Sequence, residues 1–511
     1  MAALAAFIVL LPLAGVVLAA LGGSGTADIA ARDLARYALT SAWLALLVGC
    51  ATAVIGTLAA WLVAMHRFPG RSFFAWALAL PLAVPAFAMA YSYADLLDVA
   101  GPLRIFMRAE LGFDMPFSTI RSVGGAAFIL TLAFYPYVFL AMRAAFLNQS
   151  AAALEAAAML GCNGWQALRR VALPMARPAL AAGVALAMME VLADFGAVRF
   201  LSVQTLTTGI VRAWTVYGST VSAARFALPL LAAAALLLWL ERSARKGRSH
   251  DGARARWREI EPQALTGWRG WSASLFCAVL LTAGLLLPVG WLASNMLGLS
   301  PDWARLLQAL RHSLLLAGSG AALTVLLATL LALGTRRLPV AARLASLGYA
   351  TPGAVMAIGL LAPAGLVWSM VQGSGVAIAI ALLLLAYAAR LMAAALEPID
   401  AGLARVSPSM MQAARTLGRT EMQAAVAVDL PIVRGTLLTA GLIVFVDILK
   451  ELPATLILRP FNFDTLAVLA HQYASDERLP QAGPPSLMIL AVSLPTVIWL
   501  TRRIAQARPG H

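Results

Sequence analysis

Apolar residues fall along this chain in runs of about 20, separated by short polar or charged connections. A helix rises 1.5 Å per residue, so such a run crosses the hydrocarbon core of a bilayer. Twelve runs qualify: 3–21, 39–65, 72–97, 122–146, 174–197, 226–240, 272–293, 308–334, 341–369, 375–397, 431–449 and 485–501. The first has no basic segment ahead of it and is long for the apolar core of a signal peptide, so it reads as a retained helix. The run 226–240 is short and reads as part of a helix that begins earlier. The pattern predicts an all-α integral membrane protein with about twelve transmembrane helices.

Composition narrows the class further. Of the 511 residues, 61% are hydrophobic and 12% charged, and mean hydropathy is +0.84. Soluble domains carry about 25% charged residues, so disorder, a disulfide scaffold and a soluble enzyme are excluded. Cys50, Cys162 and Cys277 are far apart and the five histidines are scattered, so no metal-ligand spacing is visible. The net charge of +15 raises the question of nucleic acid. Its placement answers it: 25 of the 38 basic residues fall on one side of the predicted spans, giving +16 there and −1 opposite. Cytoplasmic loops carry the excess of Lys and Arg. The charge therefore reports topology, with both termini and the basic stretch 241–271 in the cytoplasm, and it implies no nucleic-acid partner.

The chain repeats itself. Residues 155–174 read EAAAMLGCNGWQALRRVALP and residues 412–431 read QAARTLGRTEMQAAVAVDLP. Shifted by 257, they align without a gap, pairing Ala156 with Ala413, Ala157 with Ala414, Leu160 with Leu417, Gly161 with Gly418, Leu173 with Leu430 and Pro174 with Pro431. Two parallel units follow, 1–240 and 272–511, each of about six spans and joined by the cytoplasmic linker 241–271. In each repeated segment an Ala-rich stretch favours helix, a glycine suits a left-handed cap, and a second short helix runs to Leu-Pro. The proline is expected to open the next transmembrane helix, where its missing N–H costs nothing.

This pattern of Glu-Ala-Ala, three residues, Gly, nine residues, a hydrophobic residue, one more and Leu-Pro resembles the EAA loop of binding-protein-dependent ABC importer permeases. Two units in one chain resemble a fused permease. The strings FYPYVFLAMRAAFLNQSAAALEAAAMLG (134–161), MMEVLADFGAVRFLSVQTLTTGIVRAW (188–214) and VFVDILKELPATLILRPFNFDTLA (444–467) are similar to the ferric iron branch. The resemblance implies the type I importer fold with coupling segments at 151–174 and 407–431. It implies that Glu155, Ala156, Ala157, Gly161, Leu173 and Pro174 dock one copy of a cytoplasmic ATPase, and that Gln412, Ala413, Ala414, Gly418, Leu430 and Pro431 dock a second. It also implies a periplasmic binding protein that delivers Fe3+ to an outer face built from the loops 198–225 and 452–484, and location in the bacterial inner membrane. Gln412 stands where the family usually has an acid and Ala158 where an arginine is common, which Arg415 keeps in the second copy.

No cofactor is expected on this chain. A phosphate-cradling loop ends Gly-Lys-Ser/Thr, and the two lysines, Lys246 and Lys450, lie in other contexts. ATP and Mg2+ belong on the partner subunits, and no nucleophile constellation marks an enzyme. Rival readings are the same architecture importing thiamine, a polyamine or a phosphonate, and an ion-driven secondary transporter. One feature favours a hard cation. Glu190 and Asp194, four residues apart, share a helix face; at the same shift of 257 stand Asp447 and Glu451. Sixteen residues beyond Pro174 is about 24 Å of helix, which places these acids in the outer leaflet. Intramembrane acids line cavities or pair with bases. The four carboxylates are candidates for a translocation pathway with hard oxygen ligands, against the plainer reading that they mark the wet end of the helix with Lys450 neutralising one. No metal site is assigned.

Overall fold

The computed structural model describes residues 2–22, 31–113, 119–149, 151–245, 262–335, 348, 351–370 and 375–506. Eight helices among them are long and apolar enough to cross a membrane: Asp33–Met65, Val123–Leu147, Thr220–Ala244, Trp268–Ser294, Trp303–Leu333, Gly375–Leu403, Ala425–Leu449 and Leu479–Arg502. Two bent pairs, Arg71–Ala83 with Ala86–Glu110 and Gly164–Met175 with Arg177–Ala193, bring the number to ten if each is counted as one broken span. The shorter apolar helices Phe7–Leu21 and Gly353–Gly365 occupy the remaining two predicted runs. The run 226–240 does begin earlier, at Thr220. Of the predicted run 341–369, residues 341–347, 349 and 350 lie outside the described residues.

The bends have chemical causes. In Pro81-Leu82-Ala83-Val84-Pro85 the residue before the second proline is extended, with φ −84° and ψ 123° at Val84. Proline pushes its predecessor out of the helical region, and the two helical arms meet at 90°. The other bend, of 78°, falls at Ala176, just before the Arg177-Pro178 start of the next helix.

Compactness divides the chain differently from the sequence repeat. One compact unit takes Met1–Tyr37, Leu206–Ala232 and Ser300–Gln472; the other takes Ala38–Thr205, Ala233–Leu299 and Tyr473–His511. Each is built mainly from one half of the sequence but includes the opening helix of the other half and a later segment of it, Leu206–Ala232 in the first unit and Tyr473–His511 in the second. In the first unit, Ala2–Leu21 crosses Gly353–Met370 so closely that a Cβ on Gly15 would overlap the carbonyl oxygen of Gly359, and one on Gly359 that of Pro12. In the second unit, Trp268–Ser294 is fastened to Ala86–Leu97 by polar bonds. Trp291 Nε1 and Asn295 Nδ2 donate to Asp95 Oδ2 at 2.8 and 2.7 Å, and the Tyr93 hydroxyl donates to the Ala283 carbonyl at 2.6 Å.

The linker is more than a tether at its far end. Residues 246–261 lie outside the described set, but Gln263–Ala264 pairs in parallel with His66–Arg67. Leu265 N–H then bonds the Arg67 carbonyl at 2.9 Å, and the Ser274 hydroxyl bonds the Pro69 carbonyl at 2.7 Å.

Candidate coupling segments and buried carboxylates

Both repeated segments fold as helix, turn and helix. The first helix is Ala151–Met159 in one copy and Pro408–Thr416 in the other. Each ends in a left-handed glycine, Gly161 at φ 80° and Gly418 at φ 82°. The closing bonds are those of a Schellman cap: Cys162 N–H to the Ala157 carbonyl at 3.0 Å and Arg419 N–H to the Ala414 carbonyl at 3.3 Å. The second helix opens on a reciprocal cap in both copies. Asn163 Oδ1 accepts from Gln166 N–H at 2.9 Å while Gln166 Oε1 accepts from Asn163 N–H at 3.0 Å. Thr420 and Gln423 exchange the same pair at 3.4 and 3.1 Å. The sequence carried this signal in Asn-x-x-Gln and Thr-x-x-Gln, a variant of the capping box, which the reading above passed over.

The caps fix which side chains face outward. Glu155, Ala156, Gln412 and Ala413 are exposed, whereas Ala157 and Ala414 are buried within their own units. Beside each glycine stands a solvent-facing leucine, Leu160 at 85% exposure and Leu417 at 82%. An exposed large apolar side chain repeated at one position on a rigid turn suits a contact surface.

The two Leu-Pro pairs differ. Pro431 stands in the first turn of the spanning helix Leu430–Leu449, as expected, whereas Pro174 lies in the short helix Leu173–Met175 ahead of the spanning helix. Each sits immediately beyond a π-helical turn, Leu168–Ala172 in one copy and Ala425–Asp429 in the other. Proline lacks the N–H that would bond four residues back, and its ring crowds that carbonyl, so the preceding turn widens to π geometry. In the second copy the helix then continues to Leu449. In the first it reaches only Met175, and Pro178 opens the spanning helix. The Gln149 side-chain amide donates to the Ala172 carbonyl at 2.7 Å, tying the π turn to the end of the preceding span.

At the other end of these helices stand the repeated acids. Asp194 follows the helix Arg177–Ala193 and accepts from Val198 N–H at 3.1 Å, capping the short helix Gly196–Phe200. Glu190 lies one helical turn before it, near the end of the same helix. Glu451 caps Pro453–Leu458 in the same way, accepting from Ala454 N–H at 3.0 Å, Thr455 N–H at 3.1 Å and the Thr455 hydroxyl at 2.9 Å. It also pairs with Arg390 at 3.2 Å and is almost wholly buried. The Tyr387 hydroxyl closes the network on Thr455 Oγ1 at 2.6 Å. Arg390 thus belongs inside the helix Gly375–Leu403 and not to the cytoplasmic side in the charge count; without it the asymmetry stands. Asp447 pairs with Lys450 at 3.0 Å, as the plainer reading has it. Among the described residues no group of three His, Cys, Asp or Glu could hold a metal ion.

The outer segments 198–225 and 452–484 are not loops. They hold the short helices Leu206–Thr215, Pro453–Leu458 and Leu466–Ser475, and residues 206–211 and 465–471 are buried. Their apolar spacing is helical, which the search for spans of about 20 residues ignored.

Comparison with known proteins places this arrangement. Residues 53–246 match the family described as the binding-protein-dependent transport system inner membrane component. The chain is 25% identical over 452 residues to the Fe(3+)-transport system permease protein FbpB 2 of Haemophilus influenzae, covering 86% of this chain and 84% of that one. It is 30% identical over 178 residues to the sulfate transport system permease protein CysW of Escherichia coli, 34% of this chain and 58% of the relative. It is 32% identical over 149 residues to CysT, another sulfate permease of that organism, 29% of this chain and 52% of the relative. With its repeated, capped helix pairs and its multiple spanning helices, the chain is similar to the inner-membrane permeases of binding-protein-dependent transport systems, and residues 53–246 carry the match to that family.

Proposed function

We propose that this chain is the fused membrane subunit of an ATP-driven importer that carries ferric iron from the periplasm to the cytoplasm. The observation that carries the reading is the likeness to an Fe(3+)-transport permease over 86% of this chain and 84% of that relative, where the sulfate permeases match about a third. Two copies of a cytoplasmic ATPase dock on the coupling segments, with ATP and Mg2+ held by those partners. Glu155, Ala156, Gln412 and Ala413, with Leu160 and Leu417, offer the exposed face; Ala157 and Ala414 seat each helix; Gly161 and Gly418 set its direction. Leu173-Pro174 and Leu430-Pro431 join the dock to the membrane helix through the π turns. Both termini face the cytoplasm in this arrangement.

Iron enters as cargo in transit. Glu190 and Asp447, at matching positions of the repeat, are the proposed pathway carboxylates, hard oxygen donors suited to a hard cation. Asp194 and Glu451 support them by fixing the next short helix. The test is the Glu190→Gln/Asp447→Asn double variant at matched expression. Ferric uptake is expected to fall several-fold while ATPase subunits still co-purify; uptake at the unaltered rate would move the pathway elsewhere. Sulfate uptake by the unaltered protein in place of iron would replace the substrate altogether.

A further inference from the structure

The turn between Leu458 and Leu466 differs from its counterpart in the first half. The first half reads Leu-Ser-Val-Gln-Thr-Leu (201–206), and the second reads Leu-Arg-Pro-Phe-Asn-Phe-Asp-Thr-Leu (458–466), three residues longer. The added length is held rigid. Asp464 takes an ion pair from Arg459 and a second from Arg305 at 3.5 Å. Arg305 also reaches Gln472 Oε1 at 3.3 Å. His312 Nδ1 donates to the Asp464 carbonyl at 3.0 Å, and its ring stacks on Phe463 with centroids 3.9 Å apart. Asn462 completes the turn in the left-handed region at φ 58°.

Between these fixed points Phe461 projects with 93% of its surface exposed. Its neighbour Phe463 is spent on internal packing; Phe461 is not. The helix Leu430–Leu449 runs from a coupling segment toward this turn, so the turn lies at the end remote from the ATPase dock. The residues that brace it are charged or polar (Arg305, Arg459, Asp464, Gln472), a set costly to sink into lipid. A large apolar side chain held out from a rigid, wet, charged turn is suited to anchor a soluble protein. The first half lacks the insertion, so the contact is made on one half only and fixes which way round the partner sits.

We propose that Phe461 is a docking knob for the water-soluble binding protein that delivers cargo, seating in an apolar notch of that protein and setting its orientation. This rests on the binding-protein-dependent reading above. The experiment uses the full complex in nanodiscs and measures the binding-protein concentration that half-maximally stimulates ATP hydrolysis. Phe461→Ser is expected to raise that concentration about tenfold at an unchanged maximal rate, and Phe461→Leu to stay within about threefold. Asp464→Asn, which loosens the clamp, is expected to give an intermediate shift. An unchanged half-stimulating concentration in Phe461→Ser overturns the knob. So does quenching of a Phe461→Trp reporter by brominated lipid chains, which would put the side chain in the bilayer. A binding protein that carries another cargo but shows the same Phe461 dependence overturns the ferric reading and leaves the knob standing. No stimulation of the unaltered complex by any binding protein overturns both.

Discussion

Gly161 and Gly418 sit in open space: a Cβ built on either meets nothing within 4 Å. A substitution there is resisted by the backbone alone, because φ near 80° costs an L-residue about 1–2 kcal/mol and a β-branched one more. Gly161→Val is therefore expected to leave the protein inserted but to misdirect the short helix and weaken ATPase co-purification, with Gly161→Asn milder because Asn tolerates the left-handed region. Normal cargo-stimulated ATPase activity in Gly161→Val would remove the coupling role. Arg390 calls for the opposite experiment. Arg390→Met alone strands a buried carboxylate and is expected to cost about 3–5 kcal/mol, read as a lowered thermal midpoint in detergent. Adding Glu451→Gln should restore most of it. The glycines were legible in the sequence because a helix-favouring run stops at them. The Arg390–Glu451 pair was not, because its partners are 61 residues apart and Arg390 is a single charge within a long apolar run.

The π turns before Pro174 and Pro431 recur at the same place in both copies, although only the first is followed by a sharp bend. The element that joins the proposed coupling segment to the spanning helix is thus a helix with a widened turn in each half. Replacing both prolines by alanine restores the missing N–H and removes the ring clash. The expected outcome is a more stable protein with fewer transport events per ATP hydrolysed, measured as the ratio of uptake to hydrolysis; an unchanged ratio would show the π turns to be passive. Leu-Pro was open to two readings in the sequence, since proline is welcome at a helix start and tolerated inside a membrane helix whose surroundings absorb the lost bond. The choice depends on whether the preceding turn can widen, which spacing does not record.

The repeat made the halves legible, but not the exchange of their opening helices. Ala2–Leu21 carries no polar mark saying which partner it will choose; the choice lies in the close crossing at Gly15 and Gly359. Its counterpart Trp268–Ser294 is chosen by Asp95, which Trp291 and Asn295 reach from about 200 positions away in the chain. Since each compact unit needs a helix from the other half, neither half expressed alone should accumulate as a protease-resistant protein. Both halves co-expressed from a chain cut near residue 252 should do so. Stable accumulation of either half by itself would contradict the exchange. The account as a whole stands on cargo. The decisive measurement is ATP-dependent uptake of radiolabelled ferric iron by proteoliposomes holding this chain, its ATPase and its binding protein, with labelled sulfate as the comparison. The account predicts iron accumulation that requires all three components and ATP hydrolysis; ATP-dependent uptake of sulfate with none of iron would contradict it.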